Sequence, residues 1–396
     1  MRILFISNWY KLFSNLNSGA ANRSTMFIKA LTSMAEVDVI DFSGGEESNI
    51  ERCNVVYSQS MPLALKTEPN DGRWRKFMRL FDTRHPENVY PLSQEKMEIV
   101  DNYMRSGCYD YVACRYFNEA IECGLFRYAN QLIIDIDDNP ANMYKMLRNN
   151  FQGMSWKNYI YHQLYVHTIR IMVKNMLNKT FCVFHSNPTE SPSHKSIYLH
   201  NVAVQKENIA LVKNNEVPKI IMVGSCNYGP NADGVKHFVD EIFPKILLAI
   251  PNAQFYLVGR VNNDEIEEYL SQKKHVFMTG YVEDIAEVYR VSNVVVIPIY
   301  SGCGTCVKTI EAMKMNRPFV STPVGMRGLD DKMEPNVDYM LALNDADFAE
   351  KVIALIQNVS KSNHMAKNAY QKYLNYWSMD RFTEIVKESI LIAPSR

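Results

Sequence analysis

What constrains this chain most is an alternation that runs through it twice: a short β-branched run, then a helix-length segment, then another run. The first half holds RILFIS from Arg2, EVDVIDF from Glu36, NVVYSQ from Asn54, YDYVACRY from Tyr109, QLIIDID from Gln131 and KTFCVFHS from Lys179. Segments such as ANRSTMFIKALTSM from Ala21 separate them. The second half repeats the theme with KIIMVGS, AQFYLVGR, VFMTGYV, VVVIPI and RPFVSTP, and helices are predicted to start near Asn231, Asn263, Asp284 and Thr305. Strands joined by helical crossovers pair in parallel, with helices covering both faces of the sheet. The expected fold class is α/β, with two doubly wound parallel-sheet (Rossmann-like) domains facing a cleft. The polar stretch VQKENIALVKNNEVPK divides them, giving expected domains at 1–205 and 206–375. A last helix, within 376–396, is expected to pack back towards the N-terminal domain. Ligands of such sheets bind outside the carboxyl ends of the strands.

Composition closes off several classes of function. The 396 residues are 47% hydrophobic, enough for two cores. Lys+Arg and Asp+Glu number 43 each, so no bulk charge attracts nucleic acid. MRILFISNWY has an apolar run too short for a secretory signal, and no stretch approaches the ~18 apolar residues of a membrane span. Eight scattered cysteines read as reduced thiols of a cytoplasmic protein. Cys303 and Cys306 form a CxxC with no second ligand pair nearby for zinc.

The segment YSGCGTCVKTIEAMKMNRPFVSTPVG, from Tyr300, carries the strongest chemical signal. A Gly-rich turn leaves a buried strand and enters a helix near Thr305. At 100° per residue, Cys306, Val307, Ile310 and Met313 share an arc suited to packing on the sheet, while Thr305, Lys308 and Glu311 share the next. Lys314 falls on the packed arc, where its stem would have to snorkel, and Asn316 is expected to end the helix in a left-handed conformation. Gly302 and Gly304 let backbone N–H groups approach a ligand, and the helix start adds partial positive charge. Lys308 adds a full charge one turn in, and together these suit a phosphate or pyrophosphate. Glu311, a turn deeper, suits vicinal hydroxyls such as those of a ribose. The competing reading is a capped helix with an exposed Lys–Glu pair worth only ~0.2–0.5 kcal/mol. The P-loop pattern is absent, and no GxGxxG follows the first strand.

With those pieces in order, the chain resembles the GT-B nucleotide-sugar glycosyltransferases, specifically the large bacterial retaining family. The resemblance rests on VGSCNYGPNADGVKHFVDEIFPKI from Val223, FYLVGR from Phe255, GYVEDIAEVYRVSNVVVIP from Gly280, SGCGTCVKTIEAMKMNRPFVSTPVGMRGL and the closing YWSMDRF. It implies a donor site at Gly224, Gly302, Cys303, Gly304, Thr305 and Lys308, with the ribose on Glu311 and the base near Tyr281 and Val282. Arg260 would be a second cation for the phosphates. Many relatives carry a glutamate eight positions before the one matching Glu311; here that position is Cys303. In the N-terminal domain, SGAANRS from Ser18 matches the loop before the first helix. The resemblance gives Gly19 to the phosphates and Asn22 or Arg23 to the acceptor, and sets Asp137 and Asp138 where relatives place a catalytic residue.

The implied activity is transfer of a sugar from a nucleotide diphosphate donor to a hydroxyl acceptor, glycan, lipid-linked or other, in surface-polysaccharide or glycoconjugate assembly. Retention of configuration and independence of metal go with it, and no cofactor is expected. Asp135 and Asp137 make a DxD, whose alternation puts both on one strand face. Two rivals remain open: a nucleotide-sugar 2-epimerase on the same scaffold, and a non-catalytic nucleotide-sugar-binding subunit. His162 and His167, five apart on a helix, point about 140° from one another and are poor co-ligands. GRWRKFMRLFDTRH from Gly72 sets Trp74, Phe77, Met78 and Phe81 opposite Arg73, Arg75, Lys76 and Arg79, the pattern of a helix lying peripherally on the inner face of a membrane or packed on a core. YIYHQLYVHTIRIMV from Tyr159 reads as core.

Overall fold

The structure, a computed structural model, describes residues 1–13, 19–65, 78, 81–137, 139–142, 155–188, 190–203, 211–302 and 304–392. Its contacts separate into two compact units, one of Met1–His200 with Phe382–Arg396 and one of Asn201–Arg381. Each is built on its own parallel sheet.

The first unit has seven strands, β1 (Arg2–Ser7), β2 (Glu36–Asp41), β3 (Cys53–Ser58), β4 (Tyr111–Arg115), β5 (Leu132–Asp135), β6 (Cys182–His185) and β7 (Ser196–Tyr198), in the order β3-β2-β1-β4-β5-β6-β7. All neighbours pair in parallel. Order reverses beside β1, so the carboxyl ends of β1 and β4 flank the switch point where such sheets bind ligands. Helices α1 (Gly19–Thr32), α2 (Gln94–Ser106), α3 (Phe117–Glu122) and α4 (Trp156–Leu177) belong to this unit. Burial of β1 on both faces explains its unbroken run Ile3–Ile6, while β2, buried from Val37 onward, also takes in Asp38 and Asp41.

The second unit has six strands, β8 (Lys219–Val223), β9 (Gln254–Val258), β10 (Val276–Gly280), β11 (Val294–Ile297), β12 (Phe319–Ser321) and β13 (Met340–Leu341), in the order β10-β9-β8-β11-β12-β13. These too are parallel throughout, and β8 and β11 are its switch point. Its helices are α5 (Gly229–His237), α6 (Phe243–Ala249), α7 (Asp264–Ser271), α8 (Ile285–Val291), α9 (Val307–Lys314), α10 (Asp345–Gln357) and α11 (Val359–Tyr376). The closing helix α12 (Met379–Leu391) has Phe382, Val386 and Ile390 buried, and from Phe382 onward it is counted with the first unit. There the Phe382 ring meets the His200 ring edge-on at 5.7 Å.

Three expectations are corrected. The first turns of α4 are not core: Trp156, Tyr159, Ile160 and Tyr161 are exposed, and burial begins with Val166. Val307 on α9 is exposed as well, because the helix starts two residues later than its sequence suggests; Cys306, at φ −77° and ψ 101°, is the N-cap. Thr309, Ile310, Ala312 and Met313 form the packed arc instead. Lys314 does not snorkel to water. It is buried, with Nζ donating to the Ala203 carbonyl at 2.9 Å. Most of the basic–aromatic segment from Gly72, at 72–77 and 79–80, lies outside the described residues, while Met78 and Phe81 are exposed. Among the described residues, no helix is long and apolar enough to cross a membrane.

Candidate functional site

The second unit gathers the larger set of expected residues at the carboxyl ends of β8, β9 and β11. After β11 the chain passes through Gly302 at φ 120° and Gly304 at φ 70°, conformations closed to most side chains, and enters α9. A Cβ on Gly302 would sit 3.0 Å from the Tyr228 hydroxyl. Asn316, at φ 51°, follows the helix in the left-handed conformation expected of it. Cys303 and, in the first unit, Asp138 lie outside the described residues.

Lys308 does not stand alone. Its Nζ donates to Asn231 Oδ1 at 2.7 Å. The Asn231 amide is oriented in turn by its Nδ2 donating to the Ser225 carbonyl at 2.8 Å. Gly224, at φ 145°, completes this corner: a Cβ there would lie 2.8 Å from Asn231 Nδ2 and 3.3 Å from Lys308 Cε. Asn231 was not singled out from the sequence as a site residue. The PN that opens α5, facing the Lys helix across the switch point, was the available signal.

Glu311 is set by a second unexpected partner. The Tyr289 hydroxyl donates to Glu311 Oε2 at 3.3 Å. Tyr289 is fully buried, and burial, then the Glu311 charge, push its phenol well above the usual range, so it remains a donor. Thr305 is buried to 8% exposure, and its Oγ1 has no hydrogen-bond partner among the described residues. A buried hydroxyl left without a hydrogen bond is costly unless a ligand supplies one. Arg260 and Tyr281 are both exposed and meet one another, the guanidinium carbon 5.1 Å from the ring centroid. Val282 is partly buried against the core. Arg327, also missed, donates through Nη1 to the Gly302 carbonyl at 2.7 Å and through Nε to the Gly304 carbonyl at 3.1 Å.

In the first unit the carboxyl ends of β4, β5 and β6 hold a buried ionic cluster. Arg23, expected to face an acceptor, is buried to 7% exposure. Its Nε and Nη2 grip Asp135 at 2.8 and 3.1 Å, and its Nη1 and Nη2 also reach the His200 and Leu199 carbonyls. Arg115 Nε donates to Asp135 at 2.9 Å, and its Nη2 lies 3.2 Å from Asp137 Oδ2. Burial alone would raise the Asp135 pKa; Arg23 and Arg115 reverse that and hold it below the usual carboxylate range. Asp137, at φ 61°, is fixed by Ser186, whose Oγ donates to its Oδ1 at 2.5 Å, and its side chain remains one-third exposed. The two carboxylates of the DxD thus share two arginines. Asn22, on α1, is half-buried, and Gly19 opens that helix.

Residues 217–358 match the family model described as Glycosyl transferases group 1. A protein of Klebsiella pneumoniae described as an uncharacterized 44.6 kDa protein in the cps region is 21% identical over 301 residues, covering 71% of this chain and 74% of its own. Among solved structures, sucrose-phosphate synthase of Thermosynechococcus elongatus superposes with a TM-score of 0.66 at 16% identity, over 98% of this chain and 97% of its own. Anabaena Alr3699/HepE, solved with UDP and glucose, gives 0.62 at 13% identity, over 98% of both chains. WaaG, a glycosyltransferase involved in lipopolysaccharide biosynthesis, gives 0.58 at 12%, over 98% and 99%. With its two parallel-sheet units, this chain has the GT-B fold, and residues 217–358 of the second unit match the Glycosyl transferases group 1 model.

Proposed function

We propose that the protein transfers a sugar from a nucleotide diphosphate sugar to a hydroxyl acceptor in the assembly of a surface polysaccharide or glycoconjugate. The observation that carries this reading is the paired presetting of Lys308 by Asn231 and of Glu311 by Tyr289, one turn apart on the helix that leaves the Gly-rich turn. A cation for phosphate and a carboxylate for a diol, each fixed in advance, match the two ends of a nucleoside diphosphate. HepE's complexes with UDP and glucose, and the cps-region relative, support the substrate class.

Transfer breaks the anomeric C–O bond through an oxocarbenium-like transition state while negative charge grows on the departing diphosphate. Lys308, the α9 start and the Thr305 hydroxyl are the donors for that charge, with Arg260 a second cation, and Glu311 accepts from the ribose. Charge-assisted bonds of this kind are worth ~1.5–3 kcal/mol each. Asp137, held by Arg115 and Ser186, is the candidate catalytic carboxylate of the first unit. The reading includes retention of configuration, and protein cations rather than a metal neutralise the leaving group. It also places the reaction in the cytoplasm, in line with seven free cysteines among the described residues. Exposed Trp156, Tyr159 and Phe81 support peripheral membrane contact.

The test is a panel of UDP-, GDP-, ADP- and TDP-sugars in thermal shift, followed by product analysis with oligosaccharide and lipid-linked acceptors. One donor should raise the melting temperature and release its diphosphate only when acceptor is present. Epimerised donor without acceptor would replace this reading with an isomerase, and binding without turnover on any acceptor would replace it with a binding subunit.

A further inference from the structure

The Gly-rich turn has a weakness that its own residues do not remedy. Glycine lowers the barrier to rotating a peptide unit, and a carbonyl oxygen turned towards a phosphate repels it. Arg327 answers this from the far side of the turn. Its guanidinium holds the Gly302 and Gly304 carbonyls at 2.7 and 3.1 Å, so both oxygens face Arg327. Among the described residues no peptide bond is cis, and in a trans peptide the N–H points opposite to the C=O. The Thr305 N–H shares a peptide with the Gly304 carbonyl and is therefore directed away from Arg327. Both acceptors are neutral, so neither cancels the guanidinium charge, which adds to that of Lys308.

We propose that Arg327 is a positioning residue for the donor diphosphate: it fixes the Gly302 and Gly304 carbonyls, and with the latter the Thr305 N–H, and contributes positive charge behind them. This rests on the glycosyltransferase reading above. A guanidinium suits the task because its planar fork presents donors to two carbonyls in a fixed geometry, whereas an ammonium is a point charge on a flexible stem.

The experiment uses the full chain and isothermal titration with UDP, GDP, ADP and TDP, and with the matching nucleoside by competition. In Arg327→Met, affinity for the preferred nucleoside diphosphate is expected to fall about 10-fold or more, the scale of one to two charge-assisted bonds. Nucleoside affinity should stay within about twofold of wild type, because the turn touches only phosphates in this scheme. Arg327→Lys, which keeps the charge and loses the fork, should lie between. If wild type binds no nucleoside diphosphate, the glycosyltransferase reading itself fails. If wild type binds and both variants bind equally well, the reading stands and the role of Arg327 is refuted. A parallel loss of nucleoside affinity would also refute it, since that marks general scaffold support. Should Arg327→Met not fold, Arg327→Lys decides by the same criteria.

Discussion

Lys308 Nζ and Asn231 Oδ1 meet at 2.7 Å although 77 positions separate the two residues. The contact holds a long, rotamer-rich side chain in one place before any ligand arrives, so less entropy is lost on binding. Asn231→Ala should therefore weaken nucleoside diphosphate binding by about 3- to 10-fold while Lys308→Ala weakens it further. Titration calorimetry of both variants and of the double variant checks this. Strictly additive losses would show that Asn231 does not act through Lys308.

Tyr289 orients Glu311 from a fully buried position. Tyr289→Phe and Glu311→Ala should each reduce the preference for a ribonucleotide over its 2′-deoxy analogue, with Glu311→Ala abolishing it. Competition binding with the two nucleotides reads the ratio. Unchanged discrimination in Glu311→Ala would place the ribose elsewhere.

Glu119 makes the first unit sensitive to pH. Burial raises its pKa from an ordinary 4.5 to about 8, against the pull of the Asn8 and Trp9 N–H groups that donate to it at 3.0 and 2.9 Å. The folded chain keeps this proton where the unfolded chain has released it, so stability falls as pH rises between those two values. The slope is at most ~1.4 kcal/mol per pH unit. Glu119→Gln keeps an acceptor for both N–H groups and removes the titration. Its stability relative to wild type in urea melts should grow from pH 5 to pH 8; a difference that stays flat would mean the carboxyl is ionised in the fold.

Asp135 behaves in the opposite sense. Arg23 and Arg115 hold its pKa below the ordinary 3.8, so its contribution is complete above that value and is lost as pH falls through the folded value. Asp135→Asn removes the buried counter-charge of two guanidinium groups and leaves them only the one-third exposed Asp137, a loss of ~3–5 kcal/mol. Denaturant unfolding at pH 7 measures it. A loss under about 1 kcal/mol would show that the arginines find other acceptors.

Much of the fold was legible because its signals are local. Runs such as RILFIS and VVVIPI announce buried parallel strands through continuous burial, and β1 and β11 fall where those runs lie. Ser196–Tyr198 and Met340–Leu341 were not legible. They are too short for any pattern and are strands only because β6 and β12 supply a neighbour. Arg23 misled for a related reason: its place in a loop-to-helix motif suggested exposure, while Asp135, 112 positions away, draws it inside.

By itself the sequence determined two βα-alternating sheets, a glycine turn whose backbone few other residues tolerate, and a helix with Lys308 and Glu311 on one arc. Periodicity and backbone tolerance act over a few residues, so a string of letters can carry them. Tertiary structure alone decided that Asn231 steadies Lys308, that Tyr289 steadies Glu311, that Arg327 grips the turn and that Arg23 is buried. Each of these is a contact between distant positions, brought together by parallel strand order at the carboxyl edge of a sheet, and linear spacing holds no record of it.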